Sequence, residues 1–401
     1  MTGWKGSSKM NCKFLYLVLL GTTWMVSGFA QSQQNVSGNL PSRPLSEIIG
    51  STHTRPNYYF GKQDCLNEGA DRLLALGTKV VKVFFYMGKE TPDKMYPWNS
   101  EWPTVKTHSE GAQLPYWKIF FDKPFKTFII TTLEIVPEKE YYWRENFTAE
   151  QEQEVERQMY EFARYLLQTY KGTGKTFIIS NHETDWHLEG QMGDWDVEAP
   201  DAVYANAVRW FNARQRGVQR ARQEAGTEGV LVLHSGEVVH VVKSMQTGQK
   251  NMVNKVLPYA AFDLISYSAW DATVVGGIHP PQLLKDALDY IAKNAQPSVY
   301  YGHKKHIYIG EFGIPENEYT AEQIQTLVSQ VVEIALEWGC PYIVYWQLYC
   351  NEPQKNVALP SWNLKDHRGF WLIRSDNTYT PVYDYFHQLF KTDQIPSREK
   401  Q

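Results

Sequence analysis

Seven short stretches of the chain run apolar and then stop. KVVKVFFY, FKTFIITTL, KTFIIS, GVLVLH, FDLISYS, HIYIGEF and YIVYWQL are each rich in β-branched or aromatic residues and bounded by Gly, Pro or polar clusters, the pattern of a buried strand. An eighth, poorer run, LSEIIGS, precedes them. Between the runs, apolar residues recur at helical spacing: Val155, Met159, Phe162 and Leu166, then Leu284, Ala287, Leu288 and Ile291. The last such group, Ile324, Leu327, Val331, Ile334 and Trp338, follows Thr320-x-x-Gln323, which reads as a capping box. Strands alternating with helices pair in parallel, with the helices packed outside. Eight units of this kind predict an α/β fold, a (β/α)8 TIM barrel of one domain over residues 44–395, since such barrels take about 250 residues plus loop insertions. A doubly wound sheet is the competing architecture.

Composition narrows the partners. The chain has 401 residues, 40 basic and 44 acidic side chains and a net charge of −4. Without a long charged run, it has no means of capturing nucleic acid or an anionic membrane by charge. Lys5, Lys9 and Lys13 precede the apolar run FLYLVLLGTTWMV, and Gly28-Phe29-Ala30 offers small residues for cleavage. Residues 1–30 therefore read as a secretory signal peptide and 31–43 as a flexible lead-in. The apolar run is shorter than the roughly 20 residues of a membrane span, so a secreted or periplasmic monomer, free of the membrane after signal cleavage, is expected. Outside the signal, only Cys65, Cys340 and Cys350 remain, enough for one bridge at most. Closure of a barrel makes the first and last strands neighbours, which predicts a Cys65–Cys350 bridge with Cys340 buried and unpaired.

Catalytic groups of a barrel sit at the C-terminal ends of its strands. Strand four ends in Asn181-His182-Glu183, strand five in His234-Ser235-Gly236-Glu237 and strand six in Tyr267-Ser268-Ala269-Trp270. Strand seven ends in Gly310-Glu311-Phe312-Gly313 and strand eight in Trp346-Gln347. Glu183 and Glu311 thus project into one mouth. Two carboxylates flanking a site are what glycosidic cleavage needs, one protonated to release the leaving oxygen and one ionised to attack or to activate water. Like charges close together also raise one pKa, which keeps the acid protonated near neutral pH. Glu237 and Glu316 are the substitutes if a strand is misassigned, and Asp185 and Glu189 read as hydrogen-bonding residues of the rim. Trp186, Trp195, Trp270 and Trp346 follow strand ends, where indole faces can stack on sugar rings; the alternative for each is core packing. His182 and His234 are further candidates to bind the substrate.

The set Asn181/Glu183, Tyr267, IGEFG around Glu311 and YWQ at Trp346 resembles clan A of the glycoside hydrolases, the retaining barrel enzymes. So does the closing segment RGFWLIRSDNTYTPVYDYF, and the resemblance covers most of residues 40–392. It implies Glu183 as acid/base, Glu311 as nucleophile and Asn181 as donor to the sugar 2-hydroxyl. By the same likeness Tyr267 would hold the nucleophile, and Trp346, beside a non-prolyl cis peptide, would be a sugar platform. The family usually has Asn directly before Glu, whereas His182 intervenes here, so either Asn181 or His182 takes the donor role. Strand two offers Lys where many members have Arg. The activity implied is hydrolysis of O-glycosidic bonds in an oligo- or polysaccharide, with no cofactor.

Two other readings compete. His182, His187, His234 and His240 could gather a metal in the barrel mouth with carboxylates completing the set, although HETDWH lacks the second His of HExxH. A sugar-binding barrel without catalysis is the other.

Overall fold

The computed structural model describes residues 43–88, 91–136, 141–190 and 197–395. The expected signal peptide over residues 1–30, nearly all of the expected lead-in and Trp195 lie outside the described residues. Eight parallel strands close into a barrel in sequence order: β1 (Ile49–His53), β2 (Val80–Phe84), β3 (Thr127–Thr131), β4 (Lys175–Ser180), β5 (Val230–Val238), β6 (Leu264–Ser268), β7 (Ile307–Phe312) and β8 (Ile343–Tyr345). β1 pairs with both β2 and β8. The chain is therefore a (β/α)8 TIM barrel. Its first strand starts later than the run LSEIIGS suggests, because Leu45–Glu47 forms a single 3₁₀ turn ahead of it. No helix of the described residues is long and apolar enough to cross a membrane.

Strand alternation sorts the side chains into two cores. Val80, Ile129, Ile178, Leu233, Leu264 and Tyr308 meet inside the barrel, with Tyr342 and Val344. Their sequence neighbours, such as Val81, Ile130, Ile179, Val232 and Ile265, pack outward against the helices. The expected helices form: Ala149–Thr169, Pro281–Asn294 and Ala321–Trp338. Thr320 and Gln323 close the reciprocal capping box of the last, worth about 1 kcal/mol at such a helix start. Two residues beyond the interior Val80, Lys82 also points inside, and it is completely buried. A lysine there persists only with acceptors for its charge.

The cysteine expectation is corrected. β1 and β8 are neighbours, yet Cys65, Cys340 and Cys350 are all free and buried. Adjacent strands do not oblige the side chains beyond them to converge. The Cys350 thiol donates instead to the Glu352 carbonyl at 3.5 Å, and the Cys65 carbonyl is bonded to the His53 ring at 2.7 Å. Burial pushes the Cys65 thiol up to about 12 and raises Cys350 and Cys340 as well.

Candidate active site

Above the apolar plug, the inward positions turn polar, and a cavity of about 640 Å³ opens at the C-terminal ends of the strands. His182, Glu183, Trp186, Trp270, Glu311 and Trp346 are among its lining. Glu311 owes its direction to an irregularity. Along β7, Tyr308 faces the interior and Ile309 the helices, so strict alternation would turn Glu311 outward. Between β6 and β7 the register slips by one, pairing Tyr267 with Ile309 but Ser268 with Glu311. The extra residue re-aims the carboxylate into the mouth, the usual effect of a bulge beside a site. Glu183 follows the end of β4 with φ 22° and ψ 73°. A non-glycine residue held at positive φ costs free energy that the surroundings must supply.

Those surroundings are charged. Lys82 Nζ lies 2.7 Å from Glu237 Oε1 and 2.8 Å from Glu311 Oε1. Glu237 also accepts from Ser266 Oγ at 2.8 Å and, through Oε2, from the Glu183 backbone N–H at 3.0 Å. Burial raises the Glu311 carboxyl, the Lys82 ammonium opposes this and Glu237 adds to it, for a net rise to about 7. Glu183 is raised well above the usual carboxylate range, by burial first and by the charges of Glu311 and Glu237 next. Glu237 goes the other way: burial would raise it, but Lys82, the nearby His182 and the Glu183 N–H outweigh that and lower it. Lys82 stays protonated, since its two carboxylates outweigh the burial that would discharge it. Burial also lowers His182 to about 4, so its ring is neutral near pH 7. The cavity thus pairs a carboxyl whose protonated form is favoured, Glu183, with one whose ionised form a cation stabilises, Glu311.

The geometry of this pair is close. Oxygens of Glu183 and Glu311 and a ring nitrogen of His182 lie within 4.8 Å of one another. Trp186 Nε1 donates to Glu183 Oε2 at 2.9 Å and Trp270 Nε1 to Glu311 Oε2 at 3.3 Å. The Trp270 and Trp346 rings stand edge to face, 6.4 Å between centroids. The peptide Trp346–Gln347 is cis. Arg55, at the end of β1, also lines the cavity. A second cavity of about 490 Å³ shares Trp270, Val275, Glu352 and Arg368 with the first, so the concave surface continues past the carboxylates.

Several expected site residues lie elsewhere. His234 is corrected: β5 runs on to Val238, so this residue is mid-strand and faces the helix layer. Its ring meets Arg214 Nε at 3.4 Å and Gln215 Oε1 at 3.1 Å. Tyr267 is corrected as well, because Leu264 and Ser266 take the inward parity of β6. It packs outward and donates to Asp271 Oδ1 at 2.6 Å. Asn181 is fully buried and ties the loop together, accepting from the Glu237 N–H at 3.2 Å and donating to Thr184 Oγ1 at 2.8 Å. Of Asn181 and His182, it is His182 that faces the cavity. Asp185 and Glu189 are buried and not on the rim: Asp185 accepts the backbone N–H groups of Val239 and Met252, and Glu189 holds the His240 ring at 2.7 Å. Glu316 pairs with Arg374 at 2.6 Å, away from the main cavity.

The four histidines weighed as metal ligands therefore do not converge. His234 and His240 are bonded as above, and His187 stacks on Tyr141 with centroids 3.3 Å apart. The donors that do gather, His182, Glu183 and Glu311, already have the Lys82 ammonium 2.8 Å from Glu311. Strand reasoning noted a lysine on strand two but missed its place between two carboxylates, along with Ser266 and the part played by Glu237. Their signal was a lysine and a glutamate at inward parity in otherwise apolar strands.

No protein-family model matches the chain, and no curated protein matches it in sequence. Solved structures do match in fold. One is a GH5_18 protein from Streptomyces cattleya in complex with Manβ1-4GlcNAc, with TM-score 0.54 and 12% identity over 88% of this chain and 82% of that one. Another is an exo-β-1,4-mannosidase from an Opitutaceae bacterium, strain TAV5, with TM-score 0.53 and 12% identity over 86% of this chain and 59% of that one. A family 5 xyloglucanase from Paenibacillus pabuli gives TM-score 0.51 and 13% identity over 87% of this chain and 99% of that one. At such identities the likeness is one of fold: the chain is similar to barrels of glycoside hydrolases.

Proposed function

We propose that the protein is a retaining glycoside hydrolase that cleaves an oligo- or polysaccharide by double displacement. The observation that carries this reading is the unequal pair at the cavity floor, Glu183 and Glu311, with oxygens within 4.8 Å. Retaining enzymes place their carboxyl groups about 5–5.5 Å apart and inverting ones about 6.5–9.5 Å, the wider gap admitting a water. Glu311, whose charge Lys82 stabilises, attacks the anomeric carbon. Glu183, which no Lys or Arg among the described residues pairs with, holds a proton for the leaving oxygen and then takes one from the incoming water. Trp186, Trp270 and Trp346 supply apolar faces for sugar rings, and His182 and Arg55 supply polar groups for hydroxyls. The glycosidases named among the fold neighbours support the same class of reaction, and the complex with Manβ1-4GlcNAc supports a carbohydrate ligand. The continuation of the cavity supports a substrate of more than one sugar. Export by residues 1–30 would deliver the enzyme to polysaccharide outside the cytoplasm, where we take it to act as a monomer.

The test is a panel of aryl glycosides and polysaccharides, with the first-formed anomer of the product followed by proton NMR. Release of sugar with the substrate's own anomeric configuration is expected. The opposite anomer would overturn double displacement, and no turnover on any member would overturn the hydrolase reading.

A further inference from the structure

Glu237 lies beneath the reacting pair, out of reach of a substrate. Its side chain is completely buried, yet it touches both halves of the machinery: Lys82 Nζ at 2.7 Å on one oxygen and the Glu183 N–H at 3.0 Å on the other. Three carboxylates, Glu183, Glu237 and Glu311, thus crowd one buried cation, and no other Lys or Arg of the described residues ion-pairs with any of them. The packing is built around this arrangement. A Cβ on Gly310 would collide with Ser266 Oγ and lie 2.9 Å from Glu237 Oε1, so β7 leaves room for the Glu237 carboxylate only because it has glycine there.

We propose that Glu237 is a positioning residue of this site: by engaging Lys82 it sets how much positive charge reaches Glu311, and by accepting the Glu183 N–H it fixes the backbone turn that aims the acid. This rests on the glycosidase reading for its purpose but not for its measurement. The charged and titratable groups facing Glu237 are Lys82 from β2, His182 and Glu183 beyond β4, and Tyr308 and Glu311 from β7; Ser266 from β6 and Asn181 add neutral hydrogen bonds. With Glu237 neutral, Lys82 turns wholly to Glu311, and a like charge leaves the neighbourhood of Glu183. Both acids then titrate lower. Removing Lys82 instead leaves three carboxylates to repel one another, and both titrate higher.

The experiment follows the carboxyl carbons of Glu183 and Glu311 by NMR in protein labelled with [δ-13C]glutamate, assigned by single Glu→Gln variants and titrated without substrate. Glu237→Gln should move both titrations to lower pH by about one unit or more, the size of a close-charge effect. Lys82→Met should move both to higher pH, and the double variant Lys82→Met/Glu237→Gln should return them toward wild type. Titrations that stay in place in Glu237→Gln, or that move in the same direction in both single variants, would overturn the proposal. Circular dichroism monitors folding, and if one single variant fails to fold, the uncharged double variant compared with the other single variant decides the direction. Wild-type turnover on the glycoside panel is scored separately. Its absence would count against the hydrolase reading, while unmoved titrations would count against Glu237 alone.

Discussion

Trp186 donates its indole N–H to Oε2 of Glu183 at 2.9 Å, from three residues further along, within the short helix Thr184–Glu189. The bond favours the ionised carboxylate and so lowers the Glu183 pKa, against burial and the charges of Glu311 and Glu237, which raise it further. It also fixes which oxygen is free for the leaving group. The other face of Trp186 is held by the His240 ring, edge to face with centroids 4.2 Å apart, and His240 is tied to Glu189. A chain of buried contacts thus runs from behind β5 to the proposed acid.

Trp186→Phe keeps the ring and deletes the donor. Hydrogen bonds to charged groups are worth about 1.5–3 kcal/mol, so kcat/KM should fall by at least about tenfold. The alkaline limb of its pH profile should move to higher pH, because the ionised form of Glu183 has lost a partner. A pH–rate profile of the variant checks this; a limb that stays or moves to lower pH would contradict the role of the bond.

Stability should depend on pH through the same carboxyl. The folded pKa of Glu183 is raised above its ordinary 4.5. Its contribution is therefore fully present below that value and is lost as pH rises toward the folded pKa, where the unfolded chain alone has ionised. Glu183→Gln removes the titration. The variant should melt about 2 °C or more above wild type at pH 8, since each kcal/mol is worth roughly 2–4 °C in chains of moderate length, and the gap should shrink as pH falls toward 4.5 and level off below it. Melting curves across pH test it, and a variant less stable than wild type at alkaline pH would reverse the sign.

The barrel and the two glutamates were legible from the chain because both depend on strong signals. Apolar runs with helices between them dictate parallel closure, and a carboxylate just after such a run lies at the mouth end of the barrel, within reach of the cavity. Parity was harder to read. His234 looked like a strand end because β5 changes from apolar to polar while still pairing, as far as Val238. Tyr267 has the right place along β6 and the wrong face. For Glu311 a strict alternation would have given the wrong answer, and only the slipped register with β6 corrects it. The cluster of Lys82, Glu237 and Ser266 draws on three strands far apart in sequence, so each inward polar residue is legible in its own strand but their meeting is not.

Gly310 offers a direct test of that cluster. Gly310→Ala would drive its Cβ into Ser266 Oγ, and overpacking of this kind costs about 1–3 kcal/mol. The melting temperature should fall, and kcat should fall with it, because Glu237 and Lys82 are displaced together. Adding Ser266→Ala removes the oxygen that is struck and should recover part of the melting temperature. If Gly310→Ala alone matches wild type in both stability and rate, the close packing around Glu237 is not what the structure indicates.

The two glutamates should separate chemically. Without the Glu311 carboxylate no glycosyl-enzyme can form, so Glu311→Ala should lose essentially all hydrolysis of every substrate. Azide entering the space left by that carboxylate would attack the face Glu311 normally uses, with Glu183 still protonating the leaving oxygen, and would give a glycosyl azide of inverted configuration. Glu183→Ala should behave differently. Substrates with a good leaving group need little protonation, so their first step survives, and the glycosyl-enzyme accumulates because water is no longer activated. Azide needs no general base, so it should restore turnover and, entering opposite Glu311, give the azide of retained configuration. Anomeric coupling constants of the two azides distinguish the cases. The products exchanged, with retained azide from Glu311→Ala and inverted azide from Glu183→Ala, would swap the two roles, and full activity in either variant would remove that residue from the mechanism.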